Sequence, residues 1–503
     1  GTLLLGSNGA VNNDGGSIAS AGRVTVSNNI SGSGTVYAEQ GMLINSAGTF
    51  VNQSQLYTKG DMQVTAALDN QGSLLADANL SINTSGAVSN SGTLQGQNLN
   101  LTAGAVTNNG GTITSTGSGN ALINAASLNN SNGLIQASNN NLTISTAAAG
   151  LNNSNGQIKH AGNGVLSLGS SGQFVQQSGI TQTLGQLQLT AQGGIDNSYG
   201  VLAASQFQLT SAGGLNNSAG QIIGSGSAVS SITVQALNNS CGQIAANGGG
   251  LTLTGSTLNN SNGSILLAGN GALAITADSV ANDTSGSRII SNGSISLNAS
   301  ALLNNAGEIS AASQLTASAA TVTNSGILAS RGGRAEVTST GNVSNSGTIS
   351  GAQAAVVTAQ ALNNTGGTLQ SDGAVELTVQ NLTAGKIYAQ DLTLNSASNI
   401  VLQSGEQLSA SRNLQLQTSG NIINGGSIVA SGTLGLGANE LTNSASGIIR
   451  SGGNAVLDLN RLNNSGIISS NSTLRLDAGN TTNTGTLAAG SQLDINGNIS
   501  NSN

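Results

Sequence analysis

Hydrophobic and polar positions along this chain fall into one short pattern, clearest between Leu68 and Leu101. Leu68 and Val88 each open it. An Asn follows two places on (Asn70, Asn90), a Gly four places on (Gly72, Gly92) and a Leu six places on (Leu74, Leu94). An alternating pair comes next, Leu80 and Ile82 in one copy, Leu99 and Leu101 in the following one. The period is about 20 residues, the range in which solenoids are considered before any compact fold.

The opening apolar residue recurs as an anchor at Val11, Phe50, Leu128, Leu237, Leu258, Val343, Leu362, Leu382, Ile423, Leu441, Leu462 and Thr482, with Ile30, Ile400 and Ile499 filling wider gaps. The spacing predicts roughly 24 coils of about 21 residues. After each anchor comes a turn of one of two lengths. The shorter reads NSG, with Asn345 and Gly347 before Ile349 or Asn464 and Gly466 before Ile468. The longer reads NNSNG or a variant of it, with Asn130 and Gly133 before Ile135, Asn239 and Gly242 before Ile244, or Asn260 and Gly263 before Ile265. Gly tolerates positive φ and Asn bonds its own local backbone, so these pairs are expected to make the bends. A short strand such as Ser264–Leu267 follows, and then a strand alternating with period two, as in Leu251 to Thr254.

Helix is disfavoured because Gly, Asn, Ser and Thr interrupt every few positions. A hairpin meander has no reason to hold one inward residue at one phase for so many cycles, whereas stacked coils do, because like residues then lie over one another as ladders. The pattern therefore predicts an all-β parallel β-helix, a β-solenoid, with three short strands per coil and one continuous repeat domain over 1–503. Its expected inward side chains include Leu68, Leu74, Leu80, Ile82, Val88, Leu94, Leu99, Leu101, Leu237, Ile244, Leu251, Leu253, Leu258, Ile265, Leu462 and Ile468. The pattern loosens at 159–189 and 382–404, where local irregularities are expected. The opening GTLLLGSNGA is read as a continuation of a longer array.

Composition sharpens this reading. Charged residues make up 6% of the chain, aromatics 1%, and there is no Pro, yet net charge is only −7. Disorder driven by charge does not fit such regular apolar spacing. Eleven basic against 18 acidic residues leave no basic stripe, so no nucleic-acid partner is expected. No apolar run is long enough to span a membrane as a helix. Cys241 is the single cysteine, which excludes an internal disulfide, and it sits at a turn position otherwise filled by a small residue.

Candidate chemistry is sparse. One His and one Cys leave no set for a catalytic triad or a zinc site. His160 is expected to face solvent just after a turn. The nearest carboxylate pairs, Asp278/Asp283, Asp372/Glu376 and Asp69/Asp77, do not recur one coil later at the same phase, so a polysaccharide-degrading β-helix is the remote alternative. No catalytic, cofactor or metal residue is expected. The outward face carries Ser, Thr, Asn, Gln and Gly, with Tyr37, Tyr57, Tyr199 and Tyr388 among them. Arg331, Arg334 and Glu336 form the densest charge group.

At LNNSNGLI (Leu128–Ile135), LNNSCGQI (Leu237–Ile244), VSNSGTI (Val343–Ile349) and LNNSGII (Leu462–Ile468), the chain resembles the filamentous haemagglutinin repeats of large two-partner-secreted exoproteins. These include haemagglutinin-type adhesins and the stick proteins of contact-dependent growth inhibition. The resemblance covers nearly the whole chain. It implies a right-handed parallel β-helical filament, secreted through an outer-membrane two-partner-secretion transporter and held at the bacterial outer surface. That filament projects an adhesive or toxin-delivering module; the alternative it implies is a repeat surface that itself binds a cell-surface receptor or glycan. The family's secretion domain carries an Asn-Pro motif, so with no Pro here the transporter is expected to be engaged elsewhere.

Overall fold

In a computed structural model, which describes residues 1–6 and 9–502, the chain forms two compact units, Gly1–Ser256 and Thr257–Asn503. Each is a right-handed parallel β-helix. Among the described residues, each unit has twelve four-residue strands that follow the turn after the anchor, stacked in parallel as one sheet. The alternating strand and the anchor segment build the second sheet.

Register is kept residue for residue. In the first unit, Leu68 lies between Phe50 and Val88, Leu74 between Leu56 and Leu94, and Leu80 between Met62 and Leu99. In the second, Ile289 lies between Ile265 and Ile309, and Leu441 between Ile422 and Leu462. A one-residue slip would send every aliphatic to the solvent side, so the period-two pattern fixes the pairing. Of the inward side chains named from the sequence, from Leu68 to Ile468, none is more than 5% exposed. Phe50, Phe174 and Phe207, which are all the phenylalanines, occupy the same buried columns.

The strand count per coil varies. In several coils the alternating strand runs straight into the anchor segment, as in Asn98–Thr107 and Ser294–Asn305. Where the long strand must still turn a corner it slips, between Ala299 and Leu302 for example, as a bulge that bends the strand without ending it.

Two anchors are corrected in phase. Ile422, not Ile423, stacks between Ile400 and Leu441; Ile423 is 40% exposed. Thr481, not Thr482, pairs with Leu462 and is buried. In both places two similar residues are adjacent, so alternation alone does not say which faces in. Around 382–404, Ile400 keeps register with Leu382 and is fully buried. What changes there is the turn, where Ala384 and then Leu402 stand in the column that Asn otherwise fills.

Candidate binding surfaces

The bends are held from inside. Asn70 is fully buried and its side-chain nitrogen donates to Asn90 Oδ1 at 2.7 Å, to the Thr93 carbonyl at 3.0 Å and to the Gly72 carbonyl at 3.2 Å. Asn90 hands the same contact to Asn108, Asn108 to Asn130, and Asn130 to Asn153, each at 2.7 Å. Gln176 then takes an Asn place, accepting from Asn153 and donating to Asn197, and Asn197 and Asn217 carry the column to Asn239. In the second unit a like column runs from Asn260 through Asn282, Asn305, Asn324 and Asn345 to Asn364, and it recurs from Asn424 through Asn464 to Asn483.

The glycines of these turns have a different cause from the expected one. Gly72, Gly92, Gly133, Gly242, Gly347 and Gly466 are not at positive φ. They are required because the preceding coil passes too close: a Cβ on Gly92 would lie 1.9 Å from the Gly72 carbonyl oxygen, and one on Gly242 2.1 Å from that of Asn217. Positive φ falls instead on the residue just before the glycine of the longer turn. In the first unit these are Asn132, Asn155, Ser178, Tyr199, Ala219 and Cys241, with φ between 52° and 56°; Asn262 is the equivalent in the second. All are exposed. Turns of the same length elsewhere place Gly110 and Gly366 there, at 72° and 74°.

His160 is also corrected. It is 2% exposed, at the inward end of strand Gln157–His160, in register with Ala137 and Thr183. Its Nε2 lies 2.9 Å from the Asn139 carbonyl and its Nδ1 2.8 Å from Thr183 Oγ1. A carbonyl accepts only, so Nε2 carries the proton and Nδ1 accepts from the threonine hydroxyl. Burial pushes the imidazole pKa below its ordinary value, against the opposing backbone contacts at Asn139 and Asn140. The column it occupies holds small residues in neighbouring coils, and no sequence period marks it as inward. Over it lies an apolar depression of about 540 Å³, lined by Lys159, Gln182, Leu184, Ala203 and Ile223 among others. A second depression of about 520 Å³, in the second unit, is polar and includes Arg331, Gln370, Asp372, Tyr388 and Gln390.

Other outward groups pair along the columns. Tyr37 and Tyr57 stack with centroids 5.5 Å apart, and Tyr57 donates to Asp77 at 2.5 Å. The Tyr37 hydroxyl donates to Glu39, which also holds Lys59 at 2.9 Å. Arg334 reaches Glu336 and Glu376, so only Arg334 and Glu336 of the charge group noted in the sequence are ion-paired with each other. Cys241 is exposed and free. Among the described residues no group of acidic, His and Cys side chains has the makings of a metal site, and no helix is long and apolar enough to cross a membrane.

Coils whose strands pair with those of the coils before and after, with their chemistry spread over outward columns, define a β-solenoid repeat protein. Within that class, the chain belongs to the haemagglutinin-repeat family, which matches residues 1–54, 19–92, 63–118, 268–347, 332–404, 388–458 and 450–503. No match was found among curated proteins or solved structures. The stretch between the matches, 119–267, is the one whose turns put non-glycine residues at positive φ, from Asn132 to Asn262.

Proposed function

We propose that the chain is the shaft of a two-partner-secreted exoprotein, exported through an outer-membrane transporter and displayed outside a bacterial cell, where it holds an adhesive or toxin-delivering module away from the surface. The observation that supports this most is the unbroken inward register in each unit, together with membership of the haemagglutinin-repeat family. Within each unit such a stack resists bending because successive coils share backbone bonds, aliphatic columns and, over most of its length, an amide column.

The test is to apply the labelled chain to host and bacterial cells. A shaft shows no saturable binding that depends on cell-surface proteins. Saturable binding abolished by trypsin treatment of the cells would replace this reading with that of a receptor-binding repeat surface.

A further inference from the structure

We propose that the apolar depression of the first unit is a binding site for a medium-chain carboxylate, held by its head at Lys159 with its alkyl chain along Ala203 and Ile223. This goes beyond the shaft reading and does not depend on it. Five successive coils supply one outward column in continuous register: Gln136, Lys159, Gln182, Ala203 and Ile223. Its character changes midway. The first three side chains are polar and the last two apolar. Two residues further along their strands, Ala161, Leu184 and Ser225 line the same depression. At about 4.8 Å per coil, Lys159 and Ile223 stand ~14 Å apart along the stack. The volume, about 540 Å³, is that of a small-molecule site.

Both ends of the depression lack a partner within the chain. Among the described residues Lys159 belongs to no ion pair, and the side-chain amides of Gln136 and Gln182 make no hydrogen bond. Lys159 is nevertheless half-buried, so its aliphatic stem is packed while its ammonium has no counter-ion. Leu184 is 67% exposed, a large apolar side chain held in water beside Ala203, Ala204 and Ile223. The floor offers no free polar group. The Thr183 hydroxyl donates to His160 Nδ1 and accepts from the Gly185 N–H at 3.1 Å, and His160 Nε2 is taken by the Asn139 carbonyl. Polar contacts to a ligand therefore fall to the Lys159 end.

Ligand class follows from this asymmetry. An unpaired ammonium between two amide groups calls for an anion that also accepts hydrogen bonds, and a carboxylate does both with its two oxygens. Leu184, Ala203 and Ile223 then take an unbranched chain out of water. With C–C bonds of about 1.5 Å along a zigzag, an extended chain of roughly ten carbons covers the distance from Lys159 to Ile223. A single cation does not suit a polyanion. A peptide added as an extra strand is excluded, because strands Gln157–His160, Ile180–Thr183 and Val201–Ala204 already pair with neighbours on both sides.

Calorimetric titration of the chain with decanoate, kept below its aggregation concentration, is compared with decanol, decyltrimethylammonium and hexanoate. Decanoate is expected to bind the most tightly. Each buried methylene is worth about fourfold in affinity, so hexanoate should bind at least about tenfold more weakly. Lys159→Gln should weaken decanoate about tenfold, the effect of one hydrogen bond to a charged group, and leave decanol unchanged. Lys159→Arg should retain decanoate. Ala203→Leu fills the chain end and leaves the polar end in place, so it reports even if a change at Lys159 disturbs its coil; it should weaken decanoate and decanol alike. Lys59→Gln, on a distant coil, is the control and should match the parent. The proposal is overturned if decanoate does not bind or if any of the three comparison compounds binds as tightly as decanoate. It is equally overturned if either Lys159→Gln or Ala203→Leu stays within about twofold of the parent.

Discussion

Asn70 and Asn90 lie one coil apart, both buried, with the side-chain nitrogen of the first 2.7 Å from the side-chain oxygen of the second. Each amide both donates and accepts along the stack, and its second hydrogen satisfies carbonyls of the turn it closes. A buried polar column of this kind is tolerated because every member is paired; an unpaired member is expensive.

Replacing Asn90 by Ala strips Asn70 of its acceptor and Asn108 of its donor at once. The expected cost is roughly 2–4 kcal/mol. Asn90→Gln should cost less, since Gln176 already serves in the same column. Urea unfolding, with hydrogen exchange of peptides spanning 68–113, compares the two. Equal losses would mean that the column does not act through its amides.

Ala219 and Gly220 are adjacent and should respond in opposite directions. Ala219 sits at φ 52°, where a side chain costs about 1–2 kcal/mol relative to the right-handed region, so Ala219→Gly relieves strain at an entropic cost of about 0.5–1 kcal/mol. Gly220→Ala drives a Cβ to 2.2 Å from the Asn197 carbonyl oxygen and must displace backbone. Thermal unfolding is expected to show no loss or a slight gain for the first and a clear loss for the second. A loss of equal size in both would assign the turn to the wrong residue.

These two positions also mark what could be read from sequence. The recurrence of Leu68, Val88 and Val106 with Asn two residues on was enough to place the aliphatic columns, because burial in a stacked coil demands one residue type at one phase. It did not give the reason for the glycines. Close approach between Gly92 and Gly72 is a property of two coils in contact, and neither coil alone encodes it. The same holds for His160: its column is defined by small side chains such as Ala137, Ala204 and Ala246, which are as common outside as inside. Adjacent equivalents, Ile422 beside Ile423, carry no phase information at all. The polar depression at Asp372 and Tyr388 was invisible for a related reason, since its members come from different coils and share no motif.

Leu253 and Thr252 test the phase directly. Leu253 is 2% exposed and stacks on Ile232, while Thr252 points outward beside Ser231. Leu253→Asp puts a carboxylate into the aliphatic column and is expected to cost several kcal/mol, about 3 or more; Thr252→Asp should stay within about 0.5 kcal/mol. Denaturant midpoints of the two variants decide it.

His160 should make the first unit sensitive to mild acid. Its folded pKa lies below the ordinary value near 6.5, so below that pH the unfolded chain takes up a proton that the folded chain refuses. Stability is therefore full above about pH 6.5 and falls as pH drops toward the folded pKa. The charged neighbour along the strand is Lys159, which lines the outer depression. His160→Thr, copying Thr183 of the next coil, removes the titrating group. Between pH 7.5 and 5 the parent is expected to lose more of its thermal midpoint than this variant, and parallel curves would place the pH response elsewhere.

A stack of equivalent coils should accept the loss of one whole coil. Val88 and Val106 are register partners, so deleting Ser89–Val106 joins Val88 to Thr107 and presents Asn108 to Asn70 in place of Asn90. Ile113 then falls over Leu74, because both already stack on Leu94. Every column is restored and the stack shortens by about 4.8 Å. Deleting Ser89–Gln97 removes about the same kind of sequence but half a turn, and it sets Asn98 in the place of Ser89 and Leu99 where the column asparagine belongs. In a nearest-neighbour array the first deletion removes one coil and one interface and leaves the rest intact, whereas the second exposes two mismatched faces. Circular dichroism per residue and the thermal midpoint should be nearly unchanged for the whole-coil deletion and depressed for the half-coil one. If both deletions were equally disruptive, the coil would not be the unit of stability, and neighbouring coils would not be interchangeable.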